Sequence, residues 1–202
     1  MTAWSVRPDG LMITVHHLVM DGVSWRILLP DLAAAYDGRD LPPVGTSYAH
    51  WTSLLAGDPT EVEHWNWTLG TKPLLSVADR SHDIAANQRE LTAEVSEVDT
   101  DALVREVAEA FHTGPEEVLL SALALALREP VTVMLEGHGR ADELFEGVDT
   151  SRTIGWFTTM YPVRLDVHGL DVADAVKRVK ETMHAVPGKG IGYGLLMRDA
   201  PT

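Results

Sequence analysis

The stretch from Leu11 to Tyr36 constrains this chain most, because a two-residue hydrophobic period gives way there, within a few residues, to a helical one. Leu11, Ile13, Val15 and His17 fall on one face of an extended strand over Leu11–Val19, with Met12, Thr14 and His16 on the other. Asp21-Gly22 ends that strand. Asp21 is placed to cap a helix from about Val23 to Tyr36, where Ile27, Leu28, Leu32 and Ala35 share a face. Gly38 and Pro42-Pro43 stop it. A strand handing over to a helix rules out an all-α or all-β chain.

The same alternation continues. Short helices are expected at Tyr48–Leu55 and Glu61–Leu69, the second aligning Val62, Trp65 and Leu69. Periodicity fades over Gly70–Asn87, which reads as a linker. A strand over Arg89–Val98 and a helix over Asp101–Phe111 follow. Pro115 opens a helix over Glu116–Arg128 that is apolar nearly all round and expected to be buried. Strands are expected at Val131–Glu136 and Trp156–Val167, with Pro162 at a bulge or an edge. Asp171–Val186 carries a helical stripe of Val172, Val176, Val179 and Met183. The alternate glycines of Pro187–Gly194 read as a mobile loop. The fold class is α/β in the mixed α+β sense, divided as 1–69, a linker at 70–88, and 89–202.

Composition narrows the function. With 16 Lys+Arg against 30 Asp+Glu the formal net charge is −14, which repels phosphate backbones and anionic membranes, so no nucleic acid and no membrane partner is expected. No apolar run reaches the roughly 18 residues of a spanning helix, and no secretory signal opens the chain, so a cytoplasmic setting is expected. The absence of cysteine removes disulfides, thiolate nucleophiles and Cys-based metal sites. The histidines lack zinc-like spacing, and no metal is expected.

Two segments could carry proton chemistry. In His16-His17-Leu18-Val19-Met20-Asp21-Gly22, an imidazole at His17 among aliphatic neighbours would be partly desolvated and suited to act as a base near neutral pH. Taken alone, a histidine at a strand end is more often a packing residue. In Leu135-Glu136-Gly137-His138-Gly139-Arg140, a carboxylate beside glycines could approach a substrate with little bulk around it, while the plain alternative is a solvated strand end. The Gly188–Gly194 run has neither the dinucleotide nor the phosphate-loop context. Trp25, just after the turn, is either a packing anchor or a tunnel wall.

Together these strings resemble one family. HHLVMDGVSWRILLPDL at His16–Leu32 resembles the HHxxxDG signature of the condensation superfamily of non-ribosomal peptide synthetases, and its continuation resembles the epimerization subtype. LEGHGR at Leu135–Arg140, SRTIGWFTTMYPVRL at Ser151–Leu165 and PGKGIGYGLL at Pro187–Leu196 resemble three further epimerization motifs in order.

The resemblance implies a two-lobed fold like that of chloramphenicol acetyltransferase, with a tunnel between the lobes. It implies epimerization, an isomerase reaction of antibiotic-type secondary-metabolite synthesis, at the Cα of an aminoacyl or peptidyl thioester. The phosphopantetheine arm belongs to a partner peptidyl carrier protein, so no cofactor is bound by this chain, and neighbouring synthetase domains are partners. By the same resemblance His17 and Glu136 are the acid–base pair, and His16, Asp21, Gly22 and Arg140 support the site. Trp25, Trp156 and Tyr161 are candidates to line the tunnel. Ala141 stands where the family commonly has Glu, and flanking motifs are lacking. The chain is therefore expected to be the central part of such a domain, truncated at both ends, with an incomplete fold that is poorly stable and inactive by itself. The alternatives are a peptide-bond-forming condensation domain, or a non-catalytic fragment serving as a carrier-protein docking surface.

Overall fold

A computed structural model describes residues 2–71 and 81–199. They form two compact units, each assembled from separated stretches of sequence. The first combines Met1–Val62, Leu135–Tyr161 and Pro187–Thr202; the second combines Glu63–Met134 and Pro162–Val186. Part of the expected linker, 72–80, lies outside the described residues.

The first unit opens with a hairpin of β1 (Thr2–Arg7) and β2 (Gly10–Val15), antiparallel, with Thr2 opposite Val15 and Arg7 opposite Gly10 across the Pro8-Asp9 turn. The expected strand thus stops at Val15, four residues early. His17–Val19 form a turn, closed by the Val19 N–H donating to the His16 carbonyl at 2.9 Å. The alternation continues past the strand because the turn happens to carry an apolar Leu-Val-Met run. Helix α1 (Gly22–Tyr36) begins as the sequence predicts, behind Asp21 as its N-cap. Helix α2 (Tyr48–Leu54) is capped by Ser47, and Pro59–Glu61 makes a single 3-10 turn. The core here is Trp51, Ala141 and Phe157, joined by Leu55, Phe145, Val148 and Ile191. Trp51 meets Phe145 edge-on at 5.2 Å, and Tyr48 meets Phe157 edge-on at 5.1 Å.

The second unit contains most of α3 (Val62–Leu69), α4 (Glu97–Asp101), a π-helical stretch Ala102–Val107 running into α5 (Ala108–Ala110), α6 (Pro115–Leu127) and α7 (Val172–His184). No strand forms over Arg89–Val98: residues 89–96 pair with nothing regular, and α4 starts at Glu97, where Ser96 caps it by accepting the Asp99 N–H at 3.1 Å. The alternation there marks an exposed segment, since Leu91 is 96% and Val98 78% exposed. Helix α6 buries only Val118, Leu120, Ser121 and Ala124, while Leu119 and Leu123 remain exposed, so the expectation of a helix buried all round is corrected. Helix α7 buries Ala175, Val176 and Val179 behind its Asp171 cap.

Strand β3 (Val131–Gly137) pairs with β4 (Thr159–Leu165), and the division between the units falls within both strands. Strand β4 is shorter than the expected Trp156–Val167. The expected loop over Pro187–Gly194 is only half one: Pro187–Gly190 is a turn with left-handed φ at Gly188, Lys189 and Gly190, and helix α8 (Ile191–Asp199) begins at Ile191. Its glycines serve contact. A Cβ on Gly190 (φ +80°) would stand 2.1 Å from the Tyr161 ring, and one on Gly192 2.6 Å from the Glu61 carboxylate.

Candidate functional site

Every residue of the candidate site lies in the first unit. At its centre is the cap of α1. The Asp21 carboxylate is 3% exposed and accepts the Ser24 N–H at 2.8 Å and the Phe157 N–H at 3.2 Å. Ser24 Oγ lies 2.7 Å from Asp21 Oδ1 and 3.0 Å from the Gly155 carbonyl, with one proton to share between them. It accepts from the Gly155 N–H and from Arg140 Nη2, both at 3.1 Å. The Asp21 N–H in turn donates to the Gly155 carbonyl at 3.0 Å.

Arg140 completes the network. Its Nη2 stands 3.3 Å from both Asp21 oxygens, and its Nη1 donates to the Thr150 and Thr153 carbonyls, each at 2.8 Å. Its guanidinium carbon lies 3.9 Å over the Phe157 ring. Burial pushes the Asp21 carboxyl up, but the Ser24 and Phe157 hydrogen bonds and the Arg140 charge outweigh it and hold the group below the ordinary carboxylate range. Burial and the Asp21 charge push the neighbouring Tyr48 hydroxyl up. That hydroxyl donates to the Trp156 carbonyl at 2.8 Å.

This network ties the His16–Gly22 turn to the Gly137–Arg140 loop. The loop path is tight at Gly139, where φ is +67° and a Cβ would stand 1.7 Å from the Phe157 carbonyl oxygen. Only glycine fits there. His16 and His17 are both exposed, and because they sit at a turn, opposite strand faces do not distinguish them. The hydrogen bonding of their rings does. The Leu18 N–H donates to His16 Nδ1 at 3.1 Å and holds that ring within its own turn, whereas the His17 ring has no hydrogen bond or ion pair among the described residues. The partial desolvation expected for His17 is absent. Glu136, near the end of β3, is likewise exposed.

A cleft of about 300 Å³ opens between the start of α1 and the loop, lined by Asp21, Gly22, Val23, Arg26, His138 and Thr158. Of the residues singled out by sequence, Asp21 and Gly22 line it; His17, Glu136, Trp25, Trp156 and Tyr161 do not. Gly22 has no neighbour within 4 Å of a built Cβ. Trp25 is half-buried, Trp156 is 38% exposed, and Tyr161 is buried beside Gly190 and Gly137. Ser24, Gly155 and Phe157 were not singled out by sequence. A signal for Ser24 existed, since a serine three residues after a capping aspartate faces back onto it.

A profile of the family described as Condensation domain matches residues 3–202. The chain belongs to the condensation-domain family. Its mixed α/β fold is that of the family's solved members. It is 41% identical over 210 residues to one of the linear gramicidin synthase proteins of Brevibacillus parabrevis, a match that covers 94% of this chain and 4% of that protein. It is 38% identical over 208 residues to bacitracin synthase 2 of Bacillus licheniformis, covering 93% of this chain and 8% of that one. Among solved structures, the epimerization domain from the third module of tyrocidine synthetase B superposes with a TM-score of 0.76 at 34% identity, over 95% of this chain and 47% of that one. The first condensation domain of the CDA synthetase shares the fold at a TM-score of 0.62 and 20% identity, over 100% of this chain and 49% of that one. This condensation-domain chain thus spans about half the length of these solved relatives and a small fraction of the synthetases. No described helix is long and apolar enough to cross a membrane.

Proposed function

We propose that this chain is part of an epimerization domain, inverting the Cα of an aminoacyl or peptidyl group held as a thioester on the phosphopantetheine arm of a carrier protein. The observation that carries this reading is the likeness to the tyrocidine epimerization domain, 34% identical at a TM-score of 0.76, against 20% and 0.62 for the CDA condensation domain. The LEGHGR and WFTTMYPVRL strings support the same subtype. The partners under this reading are a peptidyl carrier protein and neighbouring domains of a non-ribosomal peptide synthetase.

The chemistry needs two proton-handling groups on opposite faces of one carbon. His17 takes the Cα proton, the C–H electron pair moves toward the thioester carbonyl oxygen, and Glu136 returns a proton to the other face. In the reverse direction the roles exchange. Asp21 and Arg140 act at a distance, by fixing the turn that carries His17 to the loop that follows Glu136.

The test follows Cα deuterium uptake from D2O into an aminoacyl thioester on a carrier protein. It uses the chain alone and the chain grafted in place of the matching residues of the tyrocidine domain. Uptake with loss of chirality, needing no acceptor amine, is expected from the grafted chain, and none from the chain alone. His17→Ala and Glu136→Ala should each lower it by on the order of 10²–10⁴-fold, and His16→Ala should not. Dipeptide formation with a second loaded carrier, and no D-isomer, would move the protein to the peptide-bond-forming class.

A further inference from the structure

The cleft between α1 and the Gly137–Arg140 loop contains polar groups that the acid–base pair does not use. Its one carboxylate, Asp21, is already occupied by Ser24, Phe157 and Arg140. Asp21 also occupies the Ser24 N–H, and the side chains that can donate into this space are those of Arg26, His138 and Thr158. Arg26 is exposed, lines the cleft, and makes no ion pair among the described residues, although the chain carries a net charge of −14. Its planar guanidinium can therefore donate to an oxyanion that enters the cleft.

His138 supplies the second donor. The Arg140 N–H donates to His138 Nδ1 at 3.0 Å, so in the neutral ring Nδ1 is the unprotonated nitrogen and the proton sits on Nε2. The loop therefore fixes the tautomer and leaves an N–H on the side of the ring that the loop does not use. Thr158 lines the same space. His138 is two residues from Glu136, and Asp21 of the cleft wall is four from His17.

We propose that this cleft is an oxyanion seat for the thioester carbonyl, in which the Arg26 guanidinium and the His138 Nε2–H donate to the carbonyl oxygen and to the enolate it becomes. The inference rests on the epimerase reading and assigns two residues that the reading leaves idle. When the Cα–H bond breaks, the proton goes to the base, the electron pair forms a C=C bond, and the carbonyl oxygen takes the negative charge. Reprotonation on the opposite face reforms the carbonyl, so no atom or electron is gained or lost. A thioester α-proton is removable near neutral pH only if that transient charge is met by prearranged donors. Removing one such donor costs on the order of 10²–10³-fold in kcat.

Two measurements test this and separate its failure from that of the epimerase reading. In the exchange assay, Arg26→Met and His138→Ala should lower kcat on the order of 10²-fold with little change in KM, and His138→Gln, which keeps an N–H donor, should recover part of the loss. Exchange within about threefold of the parent in both variants, while His17→Ala still abolishes it, overturns the oxyanion seat and leaves the epimerase reading standing. Independently of any activity, the 202-residue chain with ¹⁵N-labelled histidine is titrated with the N-acetylcysteamine thioester of N-acetylalanine. The His138 Nε2 resonance should shift in the parent and in Glu136→Gln, and the shift should vanish in Arg26→Met. No shift in the parent overturns the seat whatever the reaction class.

Discussion

Removing the Arg140 guanidinium is the sharpest perturbation of the network that joins the two motif-bearing segments. Arg140→Met keeps the aliphatic volume and a sulfur against the Phe157 ring, so the loss is mainly polar. The Thr150 and Thr153 carbonyls each lose a charged donor at 2.8 Å, and Asp21, at 3% exposure, loses its cation. Breaking a buried ion pair from one side costs about 3–5 kcal/mol. Here Asp21 retains the Ser24 and Phe157 donors, and its 3.3 Å contacts to Arg140 are longer than those of a tight charge-assisted bond. The low end, about 3 kcal/mol, is therefore expected.

Asp21→Asn places an amide N–H₂ against the Phe157 N–H or Arg140, donor facing donor, and should cost about 2 kcal/mol. Once Arg140 is gone, part of that conflict is gone too. The double variant should thus be less destabilised than the sum of the singles by about 1–2 kcal/mol. Urea unfolding of the chain, followed by the fluorescence of its tryptophans, among them the buried Trp51 beside Phe157, gives all four stabilities. Additivity within about 0.5 kcal/mol would refute the coupling. Acid unfolding supplies a second reading. Because the Asp21 carboxyl is held low in the folded state, its contribution is complete above its unfolded value near about 3.9 and is lost as pH falls through the lower folded value. Arg140→Met removes one cause of that depression, so the contribution should disappear at higher pH than in the parent.

Three further outcomes follow from the backbone and the surface. Gly139→Ala, with its Cβ 1.7 Å from a backbone oxygen at positive φ, should cost more than about 2 kcal/mol in the same urea assay; a variant as stable as the parent contradicts the loop path. Gly22→Ala, at a helix start with open space around it, should be neutral or stabilising by up to about 1 kcal/mol, and a loss of exchange without a loss of stability would show that its room serves the substrate. The groove of about 1030 Å³ between the β1–β2 hairpin and α1 is lined by Trp4, Val6, Leu11 and Tyr36, with Trp4 72% and Tyr36 91% exposed. Sedimentation should therefore show concentration-dependent association of the chain, relieved in the Trp4→Ser, Val6→Thr double variant; a monomer throughout contradicts this.

What the sequence displayed and what it hid divide along a physical line. Caps and breakers act within a few residues, and they were legible: Asp21, Pro115 and Asp171 start helices where the pattern places them. Alternation was a poorer guide, because it records which side chains are apolar and not which backbone groups find a partner. Leu11–Val19 alternates throughout, yet strand pairing ends at Val15, opposite Thr2, the first residue of β1. Arg89–Val98 alternates too, and no described strand lies beside it. Glycine misled in the other direction. The run from Gly188 to Gly194 reads as freedom, but Gly190 and Gly192 let Tyr161 and Glu61 approach the backbone closely, and α8 starts within the run at Ile191.

The site shows the same division at longer range. Asp21 and Arg140 stand 119 residues apart in sequence, and nothing within either segment reveals that one neutralises the other. Ordered motif strings could nominate both residues, but not their partnership. That partnership bears on how the chemistry is arranged. A carboxylate left free beside the His17 turn would oppose any negative charge developing on a nearby carbonyl. With Asp21 held by Arg140 and three hydrogen bonds, the same turn is rigid and locally neutral, and Arg26 sets the sign of the cleft. Under the proposed epimerase reading, the buried ion pair does more than hold α1 to the loop: it removes a charge that would make an enolate costly there.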